Sequence, residues 1–483
     1  MWSEKSAEAV LAPVTEGRAE RVGKPEAMLL DHAMHQKSGK PERAERGQGE
    51  ALPGIGRDEA GLAQHEPEGL GRTDLLTQVV ARANMVRAWK RVKANRGSAG
   101  VDGLTIEATI EYLKTEWPRI REELQTGTYR PQPLRRVQIP KSGGNKRELG
   151  IPTVIDRLIQ QALLQVLQPL IDPTFSKSSY GFRPGRRAQD AVLQAQRYVQ
   201  EGYRIVVDVD LEQFFDRVNH DVLMDRLAKR IDDKAVLRLI RRYLEAGIMV
   251  HGVITERYEG TPQGGPLSPL LANVLLDEVD RELERRGHRF VRYADDCNAY
   301  VRSQKAGERL LKGMRKLYER LHLKVNESKT AVTRAYGRKF LGFHFWAGPG
   351  MEIKRAVAYK AIATFKKCIR QITRRSSGRS LTEVVEELRR YMLGWKAYFK
   401  LAQTPGIFQQ LDEWLRHRLR ALQLKHWRRG TTVYRELRKM GASELQAAKV
   451  AANARRWWHN SRLEMNRLMP ISHFDSIGVP RLS

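Results

Sequence analysis

Two adjacent acids, Asp295 and Asp296, stand between Phe290-Val291-Arg292-Tyr293 and Cys297-Asn298-Ala299-Tyr300-Val301, two short runs rich in apolar and aromatic residues. That pattern predicts strand, tight turn, strand, with the acids at the turn. Neighbouring carboxylates repel by roughly 4 kcal/mol at 4 Å and an effective dielectric near 20. An apolar hairpin ending in such a pair therefore invites a cation. Taken alone, the same residues fit a solvated Asp-Asp turn equally well.

A second element separates the two readings. Tyr203-Arg204-Ile205-Val206-Val207-Asp208-Val209 is a β-branched run that leads into Asp210, and Leu211-Glu212-Gln213-Phe214-Phe215-Asp216 follows with helix-like character and two aromatics. A strand delivering one acid beside a hairpin delivering two makes a carboxylate cage. Mg²⁺ suits such a cage, because it prefers a few carboxylates plus substrate phosphate oxygens to a full protein shell. Two such ions about 4 Å apart can activate an attacking hydroxyl and stabilise a leaving group. Asp208 and Asp216 read as structural.

Tyr293-x-Asp295-Asp296 downstream of Asp210-x₄-Phe215 resembles the palm of reverse transcriptases, and the rest of the chain resembles bacterial group II intron-encoded reverse transcriptases and maturases. The elements that would position the acids follow in that family's order. Helical periodicity starts at Thr73, and a glycine-punctuated basic loop at 93–103 resembles the family's template-touching N-terminal extension. A helix is expected over 105–125, with a break or kink at Pro118. Residues 135–152 read as two strands joined by a basic, glycine-rich hairpin carrying Lys141 and Arg147. An apolar helix over 156–170 backs the palm. Ser179-Tyr180-Gly181-Phe182-Arg183-Pro184-Gly185-Arg186 comes next and a helix over 188–200 after it. Helices are expected over 220–229 and 234–246. Gly260-Thr261-Pro262-Gln263-Gly264-Gly265 then leads into an apolar helix, its paired glycines letting backbone come close to a substrate. A helix over 306–321, then Leu323–Thr330 and Arg338–Phe343, complete the series, so the resemblance covers roughly residues 73 to 345.

Beyond about Lys354 the chain reads as helical and basic, with Trp395, Trp414, Trp427, Trp457 and Trp458 spaced along it. Tyr391-Met392-Leu393-Gly394-Trp395-Lys396-Ala397-Tyr398-Phe399 resembles the thumb, or X, domain of intron maturases. Arg416, Arg418, Arg420, Lys425, Arg428 and Arg429 cluster around Trp414 and Trp427, and charge neutralisation plus stacking fits structured RNA. Trp395 and Trp414 read as core. The appended His-Asn-His endonuclease common in the family, with its paired cysteines, is not expected here.

Composition agrees. With 483 residues the chain has room for two to four domains, and its formal net charge of +30 calls for a polyanionic partner. No apolar stretch approaches the roughly 20 residues of a membrane span and no signal peptide opens the chain. The two cysteines, Cys297 and Cys368, suggest neither a disulfide framework nor a zinc module, which fits a reducing, cytoplasmic setting; the resemblance adds association with the nucleoid when the protein is bound to DNA. Residues 1–70 are rich in Glu, Gly, Pro and Ala, without sustained apolar period, and read as a disordered leader with short helices near 7–11 and 26–32 at most.

The resemblance implies an α/β (α+β) right-hand polymerase. Its parts would be an N-terminal extension (71–130), fingers and palm with an antiparallel palm sheet (131–345), an α-helical thumb/maturase domain (346–470) and a tail (471–483). It implies an RNA-directed DNA polymerase using Mg²⁺, deoxynucleoside triphosphates, an RNA template and a DNA primer, with group II intron RNA and target DNA as further partners. By the same resemblance Asp210, Asp295 and Asp296 hold the metals, with the Leu211 carbonyl as a further ligand. Phe215 stacks beneath the sugar, Gln263 hydrogen-bonds it, Lys141 and Arg147 meet the triphosphate, and Lys329 lies near the primer end. Arg183 and Arg186 border the template path. Two alternatives stay open: a splicing-only maturase without polymerase chemistry, and a reverse transcriptase of another bacterial retroelement.

Overall fold

The computed structural model describes residues 74–483 except 141–145, 251–252, 256–257, 377 and 463, so the leader and its short helices lie outside the described residues. The chain enters through α1 (Leu75–Val80), α2 (Arg82–Asn95) and α3 (Ile106–Thr126). Thr105 caps α3 by accepting the Ala108 N–H, and Gly127 closes it at φ +70°. Helix α3 does not end at Pro118 but runs through it as one element, which corrects the expected break as far as helix bounds go.

Strands β1 (Leu134–Pro140) and β2 (Lys146–Ile151) form the expected hairpin, in register from Arg135 opposite Ile151 to Pro140 opposite Lys146. Helix α4 (Val154–Ile171) follows, with Leu158, Ile159, Ala162, Leu163 and Leu167 all buried. Next come α5 (Ala188–Gln200), β3 (Ile205–Val209), α6 (His220–Ala228), α7 (Lys234–Glu245), β4 (Ile248–Val250) and β5 (Val253–Thr255). Strand β4 pairs parallel with β1, giving a sheet of order β2-β1-β4-β5. Helix α8 (Ser268–Arg285) leads into β6 (Arg289–Tyr293) and β7 (Asp296–Val301), and α9 (Gln304–Arg320) into β8 (Ala331–Arg334). These strands and β3 make the palm sheet, order β6-β7-β3-β8, antiparallel at every pairing.

The palm sheet is covered on both faces, and the period-two alternation of a strand divides its side chains between two cores. Val207 and Val209 of β3 enter the core shared with α1–α4 and α6–α9, whereas Val206 enters a second core on the opposite face. That second core runs on without interruption through α5 and into the C-terminal region. There a three-stranded antiparallel sheet is built from β9 (Lys339–Phe340), β10 (Phe343–Ala347) and β11 (Ile353–Val357). It is followed by the helices α10 (Tyr359–Ile372), α11 (Leu381–Phe399), α12 (Pro405–Trp427), α13 (Gly430–Lys439) and α14 (Glu444–Ala452). The short α15 (Trp457–Asn460), α16 (Glu464–Leu468) and α17 (Ile471–Ser476) close the chain.

Residues 471–483 are not a loose tail. Phe474, Val479 and Leu482 are buried in the second core, and the Leu482 and Ser483 N–H groups donate to the Asp412 carboxylate at 2.9–3.0 Å. Sequence reading set them apart because their few apolar residues show no helical period, although they supply the partners of a buried helix acid.

Candidate active site

The hairpin turn is two residues long, Ala294-Asp295, with Tyr293 paired to Asp296 across it. Ala294 sits at φ +59°, a left-handed conformation that costs an L-residue roughly 1–2 kcal/mol. What holds it there is Arg292, fully buried, which donates from Nη1 to the Ala294 carbonyl at 2.9 Å. The same guanidinium forks onto Asp280 of α8 at 2.6–3.0 Å and reaches Asn273 Oδ1 at 2.9 Å and Ser179 Oγ at 2.7 Å. Burial raises the Asp280 carboxyl above the ordinary range, and the Arg292 charge opposes that rise. From the other side Asn273 donates to the Gly181 carbonyl at 2.9 Å. Gly181 lies directly against the turn, since a Cβ there would stand 2.2 Å from the Ala294 nitrogen. Helix α8 and the 179–181 segment thus clamp the turn that carries the acids.

Asp210 arrives from the neighbouring strand. Val209 and Cys297 are the last pair of the β3–β7 ladder, so Asp210 leaves β3 at the same end at which Asp296 starts β7. The Asp210 backbone is fixed on both sides, its carbonyl by the Asn326 N–H at 2.8 Å and its N–H by Thr330 Oγ1 at 3.2 Å. Lys329 places Nζ 3.6 Å from Asp210 Oδ1, its side chain 37 % exposed. Asp295 is 7 % exposed, and its Oδ1 is buried with no hydrogen-bond partner among the described residues.

The acids do not close into a ready-made cage: among the described residues no three Asp, Glu, His or Cys side chains form a metal-holding group. A preassembled trio would suffer the carboxylate repulsion that Lys329 here offsets on Asp210. The donor set nevertheless suits a hard divalent cation. It offers oxygen ligands only, one of them buried and unpaired, and leaves the remaining positions to substrate oxygens.

Phe215 is 4 % exposed and packs edge-on to Phe214 at 5.1 Å, in the core beneath β3. Its carbonyl accepts the Thr261 N–H at 2.7 Å, which ties the Pro262-Gln263 loop to the Asp210 strand. Gln263 reaches Asp216 at 3.4 Å, and Asp208 pairs with Arg338 at 2.6 Å. The paired glycines answer to protein rather than to open space. A Cβ on Gly264, which holds φ +141°, would meet the Gly150 carbonyl oxygen at 2.7 Å, and one on Gly265 would meet Gln160 Oε1 closer still. Leu211 forms an isolated bridge with Val325. Lys141 lies outside the described residues, and Arg147 stands opposite Ile139 in the β1–β2 ladder, its side chain outside them.

Several basic residues expected to touch nucleic acid are occupied inside the fold. Arg183 is 8 % exposed and donates to Asp172 and to the Ser176 and Ser179 carbonyls. Arg416 is fully buried on Asp412, Asp475 and the Pro480 carbonyl, and Arg420 is buried on the Met469 carbonyl. All five N–H donors of Arg183 are taken by protein oxygens, which leaves none for a phosphate, and Arg416 and Arg420 are themselves buried, so none of the three offers an exposed guanidinium. Arg186 is half-buried over Tyr180, Arg418 and Lys425 are half-buried, and Arg428 and Arg429 are exposed. Trp395 is core, as expected. Trp414 is only half-buried, and Arg370, Arg418 and Lys366 lie over its ring at 5.4–5.8 Å.

Residues 139–345 match the family model described as reverse transcriptase (RNA-dependent DNA polymerase). The matched stretch is of mixed α/β build with antiparallel sheets, and a helical region follows it. More particularly, residues 362–441 match the family model described as group II intron, maturase-specific domain. It is 40 % identical over 191 residues to Protein YkfC of Escherichia coli (strain K12), across 39 % of this chain and 50 % of that one. It is 29 % identical over 336 residues to the group II intron-encoded protein LtrA of Lactococcus lactis subsp. cremoris, across 56 % of each. The chain therefore spans about half the length of these curated relatives. Among solved structures, a partial Cas6-RT-Cas1--Cas2 complex aligns at 28 % identity and TM-score 0.34, over 51 % of this chain and 42 % of that one.

Proposed function

We propose that the protein is an RNA-directed DNA polymerase encoded by a group II intron, and that its C-terminal domain binds intron RNA to assist splicing and mobility. The observation that carries the polymerase reading is the delivery of Asp210 and Asp296 at the same end of the β3–β7 ladder, with the unpaired Asp295 oxygen in the adjoining turn, inside the stretch that matches the reverse-transcriptase model. Asp210, Asp295 and Asp296, with the Leu211 carbonyl, would hold Mg²⁺. Bound there, the metal supplies activation of the primer 3′-hydroxyl and charge stabilisation of the leaving pyrophosphate.

The chain's own residues supply the rest. Arg292, Asn273 and Gly181 hold the acid turn rigid, so its geometry need not be assembled during the reaction. Lys329, poised on Asp210, holds a positive charge where the primer end and incoming phosphates meet. Phe215 and Gln263 frame the sugar, and Lys141 and Arg147 neutralise the triphosphate from the fingers hairpin. The template and primer are RNA and DNA strands, and target DNA is a further partner. No helix among the described residues is long and apolar enough to cross a membrane, and the reading places the protein in the cytoplasm, on the nucleoid when bound to DNA. Fingers and palm would run over 131–345 and the thumb/maturase domain over 346–470.

The test is primer extension on an RNA template by Asp295→Ala. Extension should be lost while the fold, read by circular dichroism, stays. Near-normal extension by the folded variant would sink the assignment.

A further inference from the structure

The thumb contains a concave site of about 380 Å³ where the end of α10, the middle of α12 and α15 meet. Arg370, Arg374, Arg375, Arg418 and Lys425 line it together with Trp457, and no acid is among its described lining residues. The cations are gathered on aromatic rings. Lys425 lies 4.2 Å and Arg375 5.6 Å from the Trp457 ring centroid, and Arg370 and Arg418 share Trp414. Arg418, held by a 2.9 Å hydrogen bond to Thr373 Oγ1, is pushed down to about 10 by its burial and by the neighbouring charges of Arg370 and Arg375. Trp457 Nε1, a buried donor, has no hydrogen-bond partner among the described residues. Five like charges in one hollow repel one another, and an anion entering it relieves that repulsion.

The shape limits the anion. The volume falls in the range of small-molecule sites, roughly 300–1,000 Å³. The phosphates of a regular duplex lie along a convex ridge and cannot enter a hollow. We propose that this pocket takes the phosphate–ribose unit of a single nucleotide turned out of a folded RNA, the phosphate on the Arg370–Arg375–Arg418 cluster. This deepens the RNA-binding half of the function proposed above and rests on it.

The experiment uses the full chain and two RNA hairpins that differ by one bulged nucleotide. The wild type should bind the bulged hairpin more tightly. Arg370→Ala/Arg375→Ala replaces two exposed residues and so spares the fold. It should lower affinity for the bulged RNA roughly tenfold or more, as expected for two lost charge-assisted contacts. Affinity for the plain hairpin should fall no more than it does in Arg389→Ala/Arg390→Ala, a control with the same charge loss elsewhere on the thumb. Inorganic phosphate and a free mononucleotide, added as competitors at constant ionic strength, distinguish the sources. Weak competition assigns the site to RNA, whereas tight binding of either small anion assigns it to a free phosphate ligand and overturns the RNA assignment. Equal losses on both hairpins would also overturn it, because the pocket would then contribute only charge. A wild type that binds both hairpins alike sinks the pocket alone, and one that binds neither sinks the RNA-binding reading with it.

Discussion

Arg292 uses its guanidinium entirely inside the palm, and the consequences of removing it can be separated. Arg292→Met strands Asp280 as a buried, unpaired carboxylate, which should cost about 3–5 kcal/mol of stability and lower Tm. Arg292→Met/Asp280→Leu removes both charges and should recover most of the Tm, yet the Ala294 carbonyl still lacks its anchor. Primer extension should therefore stay low in the double variant. Full recovery of extension would show that Arg292 stabilises the fold without positioning the turn. Phe215 poses a similar problem, because its ring is core as well as neighbour to the site. Phe215→Val keeps an apolar filler and should reduce discrimination against ribonucleotides at least tenfold. A change under twofold, ~0.4 kcal/mol, would end the steric role. The acids themselves were legible because two carboxylates in an apolar hairpin and one at the end of a β-branched run are costly without a cation. The role of Arg292 was not, since Asp280 and Asn273 lie on a helix and meet it only after folding. The available signal was a charged residue in a strand whose neighbours Phe290, Val291 and Tyr293 are all apolar or aromatic.

At the scale of elements, the loop 260–265 shows how glycine can serve packing where sequence suggests substrate approach. Gly264 combines φ +141° with a backbone oxygen 2.7 Å from where a Cβ would stand, and neither can be relieved by a side chain. Gly265 faces the end of the Gln160 side chain, which can move. Gly264→Ala should thus lower Tm and raise the KM for deoxynucleotides. Gly265→Ala should do so less, and Gly265→Ala/Gln160→Ala should regain part of the loss. If Gln160→Ala instead rescued Gly264→Ala, the two contacts would be wrongly assigned. Helices α3 to α7 and α9 were readable within a residue or two because each carries a sustained apolar period, as in α4 and α5, whereas those beyond Lys354 were legible only as a helical region. The short strands β4, β5 and β8–β11 were not, because two to five residues hold too little pattern and their pairing is set by distant partners. The break expected at Pro118 failed for a related reason. One missing N–H and a local clash did not outweigh the propagation of a 21-residue helix buried at Ile106, Thr109, Ile120 and Leu124.

Across the whole molecule, a net charge of +30 sets the expectation for binding, but charge counted along the sequence overstates what reaches the surface. Arg183, Arg416 and Arg420 are buried on protein partners, so replacing them would test folding rather than RNA affinity. The exposed pair Arg428 and Arg429 is the better probe. If six or more phosphates of a single-stranded RNA are neutralised, log affinity against log salt should fall with a slope steeper than about −4, at ~0.7 per phosphate. Arg428→Ala/Arg429→Ala should make that slope shallower by about 1.4 if each contacts one phosphate. Asp295→Ala should leave it almost unchanged, because that side chain is an acid buried in the palm. The same variants separate the two activities. Asp295→Ala should stop extension and spare intron splicing, whereas Arg428→Ala/Arg429→Ala should weaken splicing more than extension on an annealed primer-template. A wild-type slope near −1 would mean that the charge does not serve RNA binding. Loss of splicing in the folded Asp295→Ala variant would mean that palm and thumb do not divide the work.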